Sequence, residues 1–153
     1  MYRMSSKKQG ALLMALMTEV RWFIAGAILF NDKVAQEIGL NATDLQCLHL
    51  LVLQGSATPG QLARWSSLTT GGMTVVLDRL EKAGYVKRER NPKDRRSLIV
   101  KPVLSKLREL EATYRSKGEA LAGVLSGFKE KDLELILDFF RKVNATNRPG
   151  SRS

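Results

Sequence analysis

Few side chains in this sequence could act as nucleophiles or metal ligands. Cys47 and His49 are the single cysteine and the single histidine of the chain, and side chains two positions apart on a helix diverge. His49 has no thiol, imidazole or carboxylate neighbours at the spacing of a metal site, and no glycine-rich phosphate loop follows a predicted strand. The acids Glu109 and Glu111 fit a solvated helix surface. We therefore predict that the chain is not an enzyme and uses neither a metal nor another cofactor.

Cations are the more informative group. Between Thr58 and Lys101 the sequence holds ten basic and four acidic residues, a net charge of +6 out of +10 for all 153 residues. The basic residues of this stretch are Arg64, Arg79, Lys82, Lys87, Arg88, Arg90, Lys93, Arg95, Arg96 and Lys101. Such an excess favours a polyanionic partner, which is either nucleic acid or an anionic membrane.

Composition favours nucleic acid and the cytoplasm. The lone Cys47 excludes an internal disulfide and fits a reducing compartment. The uninterrupted apolar run from Trp22 to Phe30 is shorter than the roughly 20 residues that span a bilayer. Basic residues precede an apolar N-terminal stretch, as in signal peptides, but Glu19 and Arg21 interrupt it and no cleavage site follows. We predict a cytoplasmic, nucleoid-associated protein with no membrane partner.

Apolar periodicity predicts a long first helix over residues 6–38, because Gly39 is a natural stop. Between Trp22 and Phe30 the apolar side chains cover more than one face of this helix. A helix that is apolar around its circumference must be covered on several sides. In so small a chain, a second copy of the protein is the expected cover.

Two shorter helices follow. Asn41 is a suitable N-cap for a helix that runs to about Leu53. Thr58 caps the next one, with Pro59 at its first position and Gln61 completing a capping box. After a tight turn, a further helix starts at Thr69 or Thr70 and ends near Ala83, where Gly84 serves as the C-terminal cap. Two helices joined by a short turn form a helix-turn-helix, whose second helix can enter a major groove.

The pattern then changes to that of a hairpin. Tyr85–Arg90 and Ser97–Lys101 read as strands, joined by the charged turn Asn91–Arg96. A lone hairpin is marginal in water, so this one must lean on the helices before it. A hairpin directly after a recognition helix is a wing.

Two apolar-periodic helices predicted within residues 103–144 complete the fold. The predicted class is mainly α with a small β-hairpin wing: a winged helix-turn-helix with N- and C-terminal dimerisation helices. The predicted segments are a dimerisation helix at 6–38, a DNA-binding domain at 40–102, dimerisation helices at 103–144 and a disordered tail at 145–153.

The central motifs resemble those of the MarR family (multiple antibiotic resistance regulators). Residues 67–74 and 77–86 look like the recognition helix of that family and its exit. Asn91–Arg96 matches its wing, including the Asp-x-Arg signature at Asp94 and Arg96. The resemblance extends to the layout of the whole chain, because the family builds its dimer interface from terminal helices.

This resemblance implies a homodimeric, sequence-specific regulator of transcription. It implies a repressor that binds double-stranded DNA at a near-palindromic operator and that a small aromatic or phenolic effector releases. Trp22 and Trp65 are candidates for the effector pocket, although core packing is the more common role of such residues. The alternative is an effector-independent, low-specificity DNA-coating protein, which the high charge and Val75 favour.

Candidate DNA-binding residues lie on the recognition helix and on the wing. On the helix they are Thr69, Thr70, Gly71, Gly72, Thr74 and Arg79. On the wing they are Lys93, Asp94, Arg95 and Arg96. The hydroxyls can reach phosphates or base edges, and the glycines allow close approach of the DNA backbone. The wing cations suit a narrow minor groove, whereas Asp94 is expected to fix the turn.

Several positions favour structural roles or depart from the family pattern. Arg79 is better suited to an ion pair than to base reading, and Cys47 to a buried thiol than to a redox sensor. Val75 stands where the family often has Arg or Asn, which weakens base recognition at that position. Pro102 and Val103 replace the usual Leu-Thr, so we expect Ser105 to cap the following helix.

Overall fold

The computed structural model describes residues 7–147 of the chain. Its elements are the helices α1 (Lys7–Glu37), α2 (Ala42–Gln54), α3 (Pro59–Trp65) and α4 (Thr70–Lys82), the strands β1 (Val86–Asn91) and β2 (Asp94–Pro102), and the helices α5 (Leu104–Leu125) and α6 (Glu130–Asn147). The predicted class, mainly helical with a two-stranded hairpin, is confirmed. The chain divides into two compact units, one up to Leu45 and one from Gln46.

The first unit contains α1 and the start of α2. Val34, Ala35, Leu40 and Leu45 are buried, but most of α1 is exposed. By length and composition, α1 is apolar enough to cross a membrane, with a mean hydropathy of 1.7 over its most apolar window. One such helix is weak evidence for a membrane span, because a helix that is covered by protein has the same composition.

Reciprocal hydrogen bonds begin α2. The backbone N–H of Asp44 donates to the Asn41 side chain at 2.9 Å, and the Asn41 N–H donates to the Asp44 carboxylate at 3.4 Å. The predicted N-cap is therefore confirmed. Thr58 and Gln61 form the predicted capping box at the start of α3, with Pro59 as the first helical residue.

The core of the second unit comes from α2, α3, α4 and the hairpin. Its fully buried side chains include Leu48, Leu51, Leu62, Met73, Leu77, Leu80 and Val100. Between α3 and α4 the turn places Ser67 at φ 56°, a left-handed conformation that few non-glycine residues adopt. After α4, Gly84 takes φ 81°, where a glycine has no steric cost.

The hairpin is longer and its turn tighter than the sequence predicts. Both Arg95 and Arg96 lie on β2 rather than in the turn, because only Pro92 and Lys93 separate the two strands. Backbone hydrogen bonds between Ala57 and Val100, at 2.8 and 3.1 Å, attach the α2–α3 connection to the hairpin.

Two expectations about the C-terminal region need correction. Ser105 does not cap α5, because the helix already starts at Leu104 and its N-cap, Val103, makes no side-chain capping bond. Residues 145–147, predicted as disordered, belong to α6. The rest of the predicted tail, residues 148–153, lies outside the described residues.

Candidate nucleic-acid interface

Thr69 organises the start of α4. Its backbone is extended, with φ −69° and ψ 160°, and its Oγ1 accepts a hydrogen bond from the Gly72 N–H at 3.1 Å. A Cβ added to Gly72 would lie 3.2 Å from that oxygen, so the capping hydroxyl limits the space at this position. A Cβ added to Gly71 would meet nothing within 4 Å, so the helix surface is open there.

The hydroxyls expected to reach DNA differ in how they are used. Thr69, Thr70 and Thr74 are all exposed, as a DNA-contacting surface requires. However, the Thr69 oxygen accepts the capping bond, and the Thr74 hydroxyl donates to the backbone carbonyl of Thr70 at 3.0 Å. The only proton that the Thr74 side chain can donate is therefore already used within the helix.

Arg88 joins the hairpin to α4. Its Nη2 donates to Asp78 Oδ1 at 2.6 Å and its Nη1 to Glu81 Oε2 at 2.5 Å, while its backbone N–H donates to Glu81 Oε1 at 3.1 Å. Burial acts to lower the pKa of Arg88, but the hydrogen bonds to Asp78 and Glu81 outweigh it and raise the pKa. Charge-assisted bonds of this kind are stronger than neutral ones. They hold β1 against the recognition helix.

Sequence reasoning missed this role and counted Arg88 only as part of the basic excess. Its partners lie seven and ten residues earlier, on another element. Alternation along β1 offered a signal, since Val86 is buried and Arg88 points to the same face of the strand. Arg79, for which a structural role was favoured, is exposed on α4 and has an interaction within the protein.

A second ion-pair cluster lies at the base of the hairpin. Glu89 binds Lys87 Nζ at 2.6 Å on its own strand and Lys101 Nζ at 2.7 Å on β2. The hydrogen bonds from Lys101 and from Lys87 lower the pKa of Glu89 to about 2. Lys87 and Lys101 face each other across the strands, where two like charges alone would repel.

Side chains close the hairpin turn. The carboxylate of Asp94 accepts the Arg96 N–H at 3.0 Å, so the turn-fixing role predicted for Asp94 is observed. Asn91 accepts the Lys93 N–H at 3.0 Å and donates to the Ser97 hydroxyl at 2.9 Å. The strand register shifts at this point: Arg90 pairs with Leu98 and Asn91 with Asp94, so residues 95–97 form an irregular part of β2 without paired residues on β1.

Four cations at the hairpin tip have no ion-pair partner in the described part of the chain. Arg90, Lys93, Arg95 and Arg96 are exposed, and none of them forms an ion pair with any of residues 7–147. Three of the four were predicted as wing contacts; Arg90 was counted only in the charge total. Exposed cations concentrated on a narrow projection create a local positive potential that attracts polyanions.

The remaining candidate residues lie elsewhere. Cys47 is buried, as predicted. His49 Nε2 lies 2.9 Å from the Tyr114 hydroxyl on α5, and burial lowers the pKa of His49.

Trp22 is 71% exposed and so is not packed in the core of a single chain, whereas Trp65 is half-buried. Their assignment to an effector pocket stays a prediction. Within residues 7–147, no three His, Cys, Asp or Glu residues cluster as metal ligands.

Comparisons with known proteins agree with this geometry. The model of the MarR family matches residues 40–98. An uncharacterised HTH-type transcriptional regulator of Bacillus subtilis strain 168, YcgE, is 37% identical over 116 residues, 76% of this chain and 75% of the relative. An HTH-type transcriptional repressor of Mycobacterium tuberculosis, Rv2887, is 33% identical over 99 residues, 63% of each chain. The solved structure of a MarR family protein from Bacillus stearothermophilus superposes with a TM-score of 0.66 at 21% identity, over 92% of this chain and 96% of that one.

Proposed function

The chain belongs to the MarR family of helix-turn-helix transcriptional regulators, which are not enzymes, and on this basis we propose that it represses transcription by binding a near-palindromic DNA operator as a homodimer. The four cations of the hairpin tip, which form no ion pair within residues 7–147, carry the proposal, because Arg88 fastens their hairpin to the recognition helix α4. Phosphate contacts from the wing would fix the register, and α4 would read base edges in the major groove. The protein would act in the cytoplasm, on the nucleoid.

Exposed apolar side chains support the homodimer. On α1 they include Leu13, Leu16, Met17, Trp22, Phe23, Ile24, Ile28 and Leu29, and on α6 they include Leu135, Leu137, Phe139, Phe140 and Val143. Monomeric proteins rarely expose apolar surface on this scale. A second copy would cover it and would place two recognition helices about one DNA turn apart, roughly 34–36 Å.

Repression and effector release are the finer parts of the proposal. The name of the Mycobacterium tuberculosis relative supports repression. A small aromatic or phenolic effector would release the operator by binding better to a conformation whose recognition helices no longer match the DNA repeat. Trp22 and Trp65 stay the predicted contacts of this effector.

Selection of bound duplexes from random DNA, followed by footprinting, tests the mode of binding. We expect a short symmetric site, protected by two chains. If about six phosphates are neutralised, log K should fall with log salt with a slope of about −5. Uniform protection of any sequence would favour the DNA-coating alternative, and salt-independent binding would contradict both functions.

Sedimentation of the Leu137→Glu variant tests the dimer. A charge on the exposed apolar face of α6 should convert dimers to monomers without unfolding, because Leu137 is half exposed in the single chain. Lys131→Glu, at an exposed position on the same helix, is the matched control and should remain dimeric. If the Leu137→Glu variant stayed dimeric, α6 would not be part of the dimer interface.

A further inference from the structure

Val75 is an exception among the apolar residues of α4. Met73, Val76, Leu77 and Leu80 are at most 3% exposed, whereas Val75 is 51% exposed on the outward side of the helix. Valine is also restricted in χ1 on a helix, so its two methyl groups form a rigid apolar surface. The packing of the core therefore does not explain an apolar residue at this position.

The helix surface next to Val75 is open. Gly71 lies one turn earlier on the same face, and a Cβ added there would meet nothing within 4 Å. Helical side chains tilt toward the N-terminus of the helix, and with a glycine at position 71 no side chain stands between Val75 and a partner that approaches from that side. A flat partner such as the edge of a base pair can therefore approach the methyl groups of Val75 closely.

The first two turns of α4 offer few hydrogen-bond donors to the edge of a base. The first two turns of α4 contain no arginine, lysine, asparagine or glutamine, the residues that make bidentate contacts with bases. Thr74 is exposed but donates its hydroxyl proton to Thr70, so that proton is not available to a base. Asp78 and Arg79, three and four residues further on, share the Val75 face; Asp78 is held by Arg88, and Arg79 already has an interaction within the protein.

We propose that Val75 is a specificity-determining residue that reads the 5-methyl group of a thymine in the major groove of each half-site. This inference rests on the proposed function, because it requires α4 to enter that groove. Thymine is the base that presents a methyl group there, and apolar side chains recognise it by contact. The positive charge of the hairpin tip supplies affinity for DNA, while Val75 selects among sequences.

Uracil scanning tests this inference on the operator obtained by selection. Each thymine is replaced in turn by deoxyuridine, which removes only the methyl group, and affinity is measured for the full-length dimer. One symmetry-related pair of thymines should be sensitive. The expected loss is roughly fourfold per half-site and fifteenfold for both, the equivalent of about one buried methyl group each.

The Val75→Ala variant completes a double-mutant cycle with the sensitive thymines. In this variant the same uracil substitutions should change affinity by less than about twofold, and thermal unfolding should confirm the fold. Val52→Ala, at an exposed valine on α2, is the matched control and should keep the wild-type sensitivity. If no thymine is sensitive, or if Val75→Ala keeps the full loss, the inference is wrong while the proposed function stands. If selection yields no bound duplex, the proposed function itself fails.

Discussion

The base and the tip of the hairpin use the same residue types in opposite ways. At the base, Lys87, Arg88 and Lys101 are each bound by a carboxylate. At the tip, Arg90, Lys93, Arg95 and Arg96 form no ion pair with residues 7–147. Acids on β1 and α4 neutralise the base, whereas the one acid of the turn, Asp94, bonds to the backbone of Arg96. The ion pairs at the base of the hairpin therefore position the wing, whereas the cations at its tip stay available to bind a negatively charged partner.

The largest effect should follow from removing tip charge. Arg95→Ala combined with Arg96→Ala should lower DNA affinity about a hundredfold for each half-site, since each chain of the dimer loses two arginines and each arginine contact with DNA is typically worth a factor of about ten. The slope of log K against log salt should become less negative by about 3.5, because the variant dimer lacks four arginines. Because no ion pair is lost, the midpoint of thermal unfolding and the dimer should be unchanged. DNA titration over a range of salt concentrations and calorimetry measure these effects.

A matched control separates local contact from total charge. Arg108→Ala combined with Arg115→Ala removes two exposed cations from α5 and should change the salt slope little. If this control matched the tip variant, total charge rather than the wing would determine affinity. If the tip variant unfolded at a clearly lower temperature, our distinction between base and tip would be wrong.

A substitution at the base of the hairpin should lower both the stability of the protein and its affinity for DNA. Arg88→Met keeps an unbranched side chain that can pack like the aliphatic part of arginine, but it leaves Asp78 and Glu81 without their partner. We expect a loss of about 1 kcal/mol in the free energy of unfolding, a modest value because both carboxylates are substantially exposed. DNA affinity should fall roughly tenfold through repulsion of phosphates by two uncompensated carboxylates. Denaturant unfolding and DNA titration of the same sample measure both.

Neutralising the freed acids sharpens this result. Adding Asp78→Asn and Glu81→Gln to Arg88→Met should restore most of the DNA affinity, because the repulsion disappears. Stability should not recover to the same extent, since the charge-assisted bonds stay absent. If Arg88→Met lost DNA affinity but kept full stability, Arg88 would act by contacting DNA, like the cations of the tip, and not by positioning the hairpin.

Local signals predicted the helices well. Asn41 and Thr58 cap their helices as predicted, and Thr69 caps the helix that was predicted to start at Thr69 or Thr70, because capping depends on a side chain and a backbone N–H only three residues apart. The order of helices, turn and hairpin followed from these signals. Ser105 failed as a cap because the backbone of Val103, bonded to the carbonyl of Tyr85, already sets the start of α5.

The site was predictable in composition and less so in arrangement. The concentration of cations between α3 and β2 was evident from the residues alone. Which cations are neutralised depends on tertiary pairs such as Arg88 with Asp78 and on the cross-strand contact of Lys101 with Glu89. The length of the turn was misjudged because the side chains of Asn91 and Asp94 stabilise a turn tighter than its charged composition suggests.

The smallest effect concerns acid stability, and it comes from Glu89 at the base. Since Lys101 and Lys87 lower its folded-state pKa to about 2, folding is favoured when the carboxylate is ionised. This contribution is complete above the ordinary glutamate pKa near 4.5 and is lost as the pH falls from there toward 2. Glu89→Gln should therefore unfold at a midpoint that depends less on pH between 2 and 5 than that of the wild type. Glu119→Gln, at an exposed position on α5, should keep the wild-type dependence. Equal pH dependence in the wild type and Glu89→Gln would mean that the ion pairs of Glu89 with Lys87 and Lys101 do not stabilise the hairpin. The contrast between the base of the hairpin and its tip would then rest on Arg88 alone.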